Sequence, residues 1–135
     1  MLTTKCIHPE LMAILSSLGH HDKILIADGN FPLESQTGTA DKVFLGLKPG
    51  MPTVTDVLDA LLGVIKVEAA EVMETSGPDE PEIFAEFREM LPELTIEKIG
   101  YEKFFDICNS DTLRLAISTG EKRTYSNILL TVGVA

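Results

Sequence analysis

Lys23-Ile24-Leu25-Ile26-Ala27-Asp28 is the stretch on which the fold turns. It is short and continuously apolar, as a strand is when both of its faces are covered, the situation found in α/β sheets. Gly29-Asn30 and Pro32 break it sharply, so the carboxylate of Asp28 falls at the strand's end. Working outward, His8-Pro9 precedes Glu10, Leu11, Met12, Leu15 and Leu18, an apolar stripe at helical spacing that Gly19 stops. Downstream, Asp41 to Leu45 is a second strand, and Val54 to Ile65 a helix with Val57, Leu58, Leu61 and Leu62 on its buried face.

The second half continues the alternation. Lys66 to Met73 reads as a strand whose glutamates at 68 and 71 do not alternate cleanly, and Ser76-Gly77-Pro78 as a turn. Pro81 opens a helix carrying Ile83, Phe84, Phe87, Met90 and Leu91, and Pro92 ends it. Thr95 to Gly100 is a weak strand and Tyr101 to Cys108 a short helix. Thr112 to Ser118 reads as a half-buried strand, and after the Gly120-Glu121 turn Tyr125 to Val132 is the last, expected to neighbour it. The pattern predicts one three-layer α/β domain over residues 1–135, with a mostly parallel or mixed central sheet flanked by helices.

Composition excludes several functions. A net charge of -10 argues against nucleic acid and against anionic membranes, both of which require a basic surface. The acidity is concentrated between Glu68 and Glu97, where Arg88 is the one basic residue, and reads as a solvated face. No window has the run of about 18 apolar residues that spans a bilayer, and Met1-Leu2-Thr3-Thr4-Lys5 lacks a signal peptide's apolar core. Cys6 and Cys108 show no CxxC spacing. A cytoplasmic protein with reduced thiols is the expectation.

Three short segments carry the polar chemistry: Gly19-His20-His21-Asp22, Ala27-Asp28-Gly29-Asn30-Phe31-Pro32, and Thr119 through Leu130. His20 follows a helix stop and precedes a buried strand, a loop position from which a side chain reaches a ligand. Imidazole gives and takes protons near neutrality; the same placement also suits a plain helix end, where the dipole favours it. Asp28 lies where ligands of open α/β sheets bind, outside a strand's carboxyl end, although aspartate there also serves ordinary turns. Tyr125 and Asn127, two apart on the expected strand, share a face and offer donors and acceptors to a polyol.

All three segments resemble the D-ribose pyranase / L-fucose mutarotase family. The resemblance implies a cofactor-independent isomerase of free monosaccharides, with His20 as general acid/base and Asp28, Tyr125, Ser126 and Asn127 binding the sugar. Asn30-Phe31-Pro32 is more similar to the fucose branch than to the ribose branch. A further sugar contact is expected shortly before the penultimate strand, where the spacing departs from the family's and either Tyr101 or Lys103 fills the place. D-ribose pyranase activity and a non-catalytic sugar-binding or transport-accessory protein are the alternatives. Neither residues nor resemblance points to a metal site.

Distance along the chain adds a constraint. With residues 23 to 28 extended, His20 and Asp28 stand roughly 15 to 25 Å apart at about 3.3 Å per residue. A monosaccharide ring is only about 6 Å across. The expectation is therefore a shared site in which His20 of one chain faces Asp28 and Tyr125 of its neighbour, and the family resemblance implies a ring-like homo-oligomer that would hold it.

Overall fold

The computed structural model describes residues 1–135. Its elements run α1 (Pro9–Leu15), β1 (Lys23–Ala27), α2 (Leu33–Gln36), β2 (Asp41–Phe44), α3 (Val54–Leu62), β3 (Val67–Met73), α4 (Glu82–Met90), β4 (Glu97–Ile99), α5 (Tyr101–Cys108), β5 (Leu113–Ser118) and β6 (Ile128–Val132). All six strands form one sheet in the order β2-β5-β1-β6-β3-β4. β6 is antiparallel to both its neighbours, while the other pairings are parallel. The mixed α/β sheet expected from the sequence is what forms.

Burial explains why β1 takes the centre. Ile24, Leu25 and Ile26 are all 0% exposed, and each contributes about 1.5–3 kcal/mol when removed from water. Ile24 and Ile26 pack with residues of α1, α3 and α4 on one face, whereas Leu25 and Ala27 pack with Leu33 of α2 and Phe104 and Cys108 of α5 on the other. Helices thus cover both sides. Their starts follow from local chemistry: Thr53 and Asp56 form a reciprocal capping box on α3, and the His8 ring accepts the Leu11 amide at 3.2 Å to cap α1. His8 is accordingly a cap.

Two expectations are corrected. The last two strands are not neighbours, because β1 lies between β5 and β6; the loop 119–127 crosses the end of β1 instead of closing a hairpin. Nor is β5 half-buried: only Arg114 on it is exposed, since helices cover both faces. α2 is additional to the expected elements. Its four residues are too few for a periodic signal.

Because only β6 is reversed, its start lies at the same edge of the sheet as the carboxyl ends of the other five strands. Its end lies at the opposite edge, beside the turn that precedes β1. These two edges carry the polar segments.

Candidate functional site

At the carboxyl edge, Asp28 and Asn127 clasp each other. Asn127 Oδ1 accepts the Asp28 amide at 2.8 Å. Asp28 in turn accepts the amides of Asn30 at 2.9 Å and Ser126 at 3.3 Å, one on each carboxylate oxygen. The Phe31 backbone and the Asn127 side chain also pull on this carboxylate, so it sits within a ring of donors. Asp28 is 3% exposed and Asn127 5%. Burial pushes the Asp28 carboxyl above its usual value, against the opposing pull of those amides.

The clasp forms one wall of a crevice of about 240 Å³ that also contains Asn30, Phe31, Tyr101, Phe105 and Tyr125. Phe31 stacks on Phe105 with ring centroids 5.2 Å apart, and Tyr101 lies 4.7 Å from Phe105, one helical turn away. The result is a polar wall facing an aromatic one. Of the two residues left open by the sequence, Tyr101 lines this crevice, whereas Lys103 is exposed elsewhere on α5.

Tyr125 reaches the crevice by a different route from the one expected. It is not on a strand, since β6 begins at Ile128. Its φ of 59° places it in the left-handed region, which costs a non-glycine residue about 1–2 kcal/mol. Such conformations gather at functional sites. Ser126 is fully buried and contributes its backbone amide.

The loop that presents these residues is held by Gly120 and Glu121. Glu121 accepts the Val54 amide at the start of α3 at 3.2 Å and the Arg123 Nε at 2.7 Å, while Arg123 also donates to Glu86. Burial pushes the Glu121 carboxyl up, but the Arg123 guanidinium and the Val54 amide outweigh it and hold the group below its ordinary 4.5. Since its folded value lies below the unfolded one, its stabilisation is present above that range and is lost as pH falls through it. Glu121→Gln is expected to lose about 2 kcal/mol at neutral pH. It is also expected to lose less further stability than the parent chain between about pH 5 and pH 3. Parallel urea-melt curves across that range would contradict this role.

The other edge carries His20. Asp22 Oδ2 accepts the Gly19 amide at 2.8 Å, closing the turn, and the His21 amide donates to Val132 at the end of β6 at 3.0 Å. His20 Nε2 lies 2.9 Å from Glu68 Oε2, and its ring stacks on that of His21 with centroids 3.7 Å apart. Glu68 was not singled out in the sequence. Its one signal was the broken alternation of β3, which the structure traces to a register shift between Val67 and Ala69. His20 and the Asp28 clasp therefore sit at opposite edges of the sheet, joined by the length of β1, and share no crevice within one chain.

Fold and site define a three-layer α/β domain with a carboxylate, carboxamide and phenol at one sheet edge and an imidazole at the other. The chain belongs to the RbsD / FucU transport protein family, whose pattern matches residues 1–135. It is 30% identical over 128 residues to a D-ribose pyranase of Geobacillus thermodenitrificans, covering 95% of this chain and 93% of that one. A D-ribose pyranase of Bacillus cytotoxicus is 32% identical over 128 residues, covering 95% and 94%. Among solved structures, Bacillus subtilis RbsD complexed with D-ribose superposes with a TM-score of 0.87 at 30% identity, covering 100% of this chain and 99% of the other. The Streptococcus pneumoniae fucose mutarotase in complex with L-fucose gives 0.82 at 25% identity, with the same coverage. No helix of the chain is long and apolar enough to cross a membrane.

Proposed function

We propose that this chain is a cofactor-independent isomerase that interconverts ring or anomeric forms of a free monosaccharide. The observation that carries the reading is the Asp28–Asn127 clasp, a buried carboxylate and carboxamide that line the crevice and suit the hydroxyls of a sugar. Tyr125 adds a phenol, and the aromatic wall of Phe31, Tyr101 and Phe105 suits the C–H face of a sugar. His20 serves as the general acid/base: it takes the anomeric hydroxyl proton while a water gives one to the ring oxygen, and the hemiacetal opens. On closure onto the other face or by another hydroxyl, the attacking hydroxyl loses its proton to water as His20 returns its own to the new anomeric oxygen.

His20 acts on a sugar held by a neighbouring subunit in this reading, within a ring-like homo-oligomer. Its support is the placement of the two half-sites at opposite edges. L-Fucose is the favoured substrate, because the aromatic wall offers an apolar surface to a 6-deoxy methyl group. D-Ribose is the second reading, and the pyranase relatives favour it. Saturation-transfer NMR on both sugars tests the proposal: enhanced exchange on either supports isomerisation, and the faster one names the substrate. Binding without enhanced exchange would leave a non-catalytic sugar-binding protein.

Asp28→Asn separates binding from scaffold. Losing the charged acceptor is expected to weaken sugar affinity by about 1.5–3 kcal/mol, roughly 10- to 100-fold. Calorimetric titration reads this directly. An unchanged Kd in a folded variant would remove Asp28 from the site.

A further inference from the structure

We propose that His20, His21 and Glu68 form a reversible binding site for a divalent transition-metal ion of the zinc type, and that its occupation withdraws His20 from proton transfer. The second half rests on the role given to His20 above; the first does not.

The donors converge as a metal requires. Two imidazole nitrogens and a carboxylate oxygen lie within 4.8 Å of one another, and no other group of three such donors in the chain does so. His20 Nε2 is 2.9 Å from one Glu68 oxygen and His21 Nδ1 is 3.3 Å from the other. Tetrahedral zinc with bonds near 2.0–2.2 Å holds its ligand atoms about 3.3 Å apart, so small side-chain rotations suffice. Two histidines and a glutamate are also a set that selects zinc, copper or nickel over magnesium and calcium.

The backbone points the same way. His21 is held at φ 76°, a left-handed conformation costing about 1–2 kcal/mol, and this brings its ring onto that of His20. The turn's own bonds, from the His21 amide to Val132 and from the Gly19 amide to Asp22, hold that conformation, so both rings are preset beside Glu68. The two cysteines do not compete for the ion. Both are buried, and burial pushes the Cys108 thiol up to about 12, far from the thiolate a metal takes.

Glu68 comes from β3 and the histidines from the turn before β1, two elements joined through β6. The site therefore exists only in the folded chain. A metal there would occupy Nε2 of His20, the nitrogen that now faces Glu68.

Calorimetry of the purified chain with zinc chloride, in a non-coordinating buffer at neutral pH, is the test. The matched variant is His21→Asn, since asparagine tolerates the left-handed backbone and is a far weaker ligand. The expected result is one saturable zinc site per chain, untouched by millimolar magnesium. Affinity should fall at least about 10-fold in His21→Asn, the lower end of what losing even an outer partner costs. In the same samples, zinc is expected to suppress sugar exchange in the parent chain and far less in His21→Asn, each measured against its own metal-free rate. Absence of saturable zinc binding, or equal zinc affinity in both chains, overturns the site. Zinc binding with undiminished exchange overturns the inhibition. A chain that binds zinc as described but accelerates no sugar's exchange upholds the site and removes the isomerase reading instead.

Discussion

His20→Ala is expected to slow sugar exchange by about 10²- to 10⁴-fold, the range that one positioned proton-transfer group supplies, while sugar affinity changes little. The split follows from geometry. His20 sits outside the Asp28 crevice, at the far edge of the sheet, so its removal leaves the clasp and the aromatic wall intact. Its folded-state contacts are an exposed hydrogen bond to Glu68 and a stack on His21, and exposed contacts of this kind contribute about 1 kcal/mol or less. The variant should therefore fold. Exchange rates by saturation transfer, alongside calorimetric Kd values for the same sugar, make the comparison. Parent-level exchange in a folded variant would transfer the acid/base role to another group, and a parallel collapse of affinity would make His20 a binding residue.

Gly120→Ala is expected to be the most damaging single substitution for stability. A Cβ at Gly120 would stand 2.5 Å from the carbonyl oxygens of Lys48 and Met51 and 2.8 Å from the Met51 nitrogen. All three are backbone atoms, so no side chain can swing aside. The Gly120 amide also donates to the Pro52 carbonyl at 2.9 Å, which locks the two loops together. Relief requires moving the 46–52 loop or the 119–127 loop, at a cost of about 3 kcal/mol or more. For a chain of this size that lowers Tm by roughly 10 °C. Gly77→Ala is the control, since nothing lies within 4 Å of the added methyl, and surface changes of that kind stay within about 0.5 kcal/mol. Equal melting temperatures for the two variants would show that the loops yield easily. In the damaged variant sugar binding should fail as well, because Glu121 and the residues up to Asn127 lie on the displaced loop.

The features legible in the sequence were those set by short-range chemistry. A continuous apolar run gave β1, helical stripes between prolines and glycines gave α1, α3 and α4, and Asp28 fell at a strand end as its neighbours dictated. The three polar segments were found because each is contiguous. What depends on pairing between distant strands was not legible. β5 and β6 follow each other in sequence, but β1 lies between them, with both of its hydrogen-bonding edges paired and helices over both faces. Tyr125 and Asn127 would share a face only on an extended backbone, and the left-handed turn at Tyr125 breaks that alternation. Glu68 meets His20 only because β6 carries the sheet from β1 to β3. Gly120-Glu121 was visible as a motif, yet its function as a loop lock depends on Lys48, Met51 and Val54, which no local pattern connects to it.

The two sheet edges have a consequence for how copies could associate. In the shared site proposed above, a subunit whose imidazole and crevice face opposite ways would supply one half of a site in each direction. Head-to-tail stacking of such subunits completes every site only when the series closes on itself. A linear fragment would always strand one crevice at one end and one imidazole at the other, so dissociation would cost activity faster than it costs folded protein.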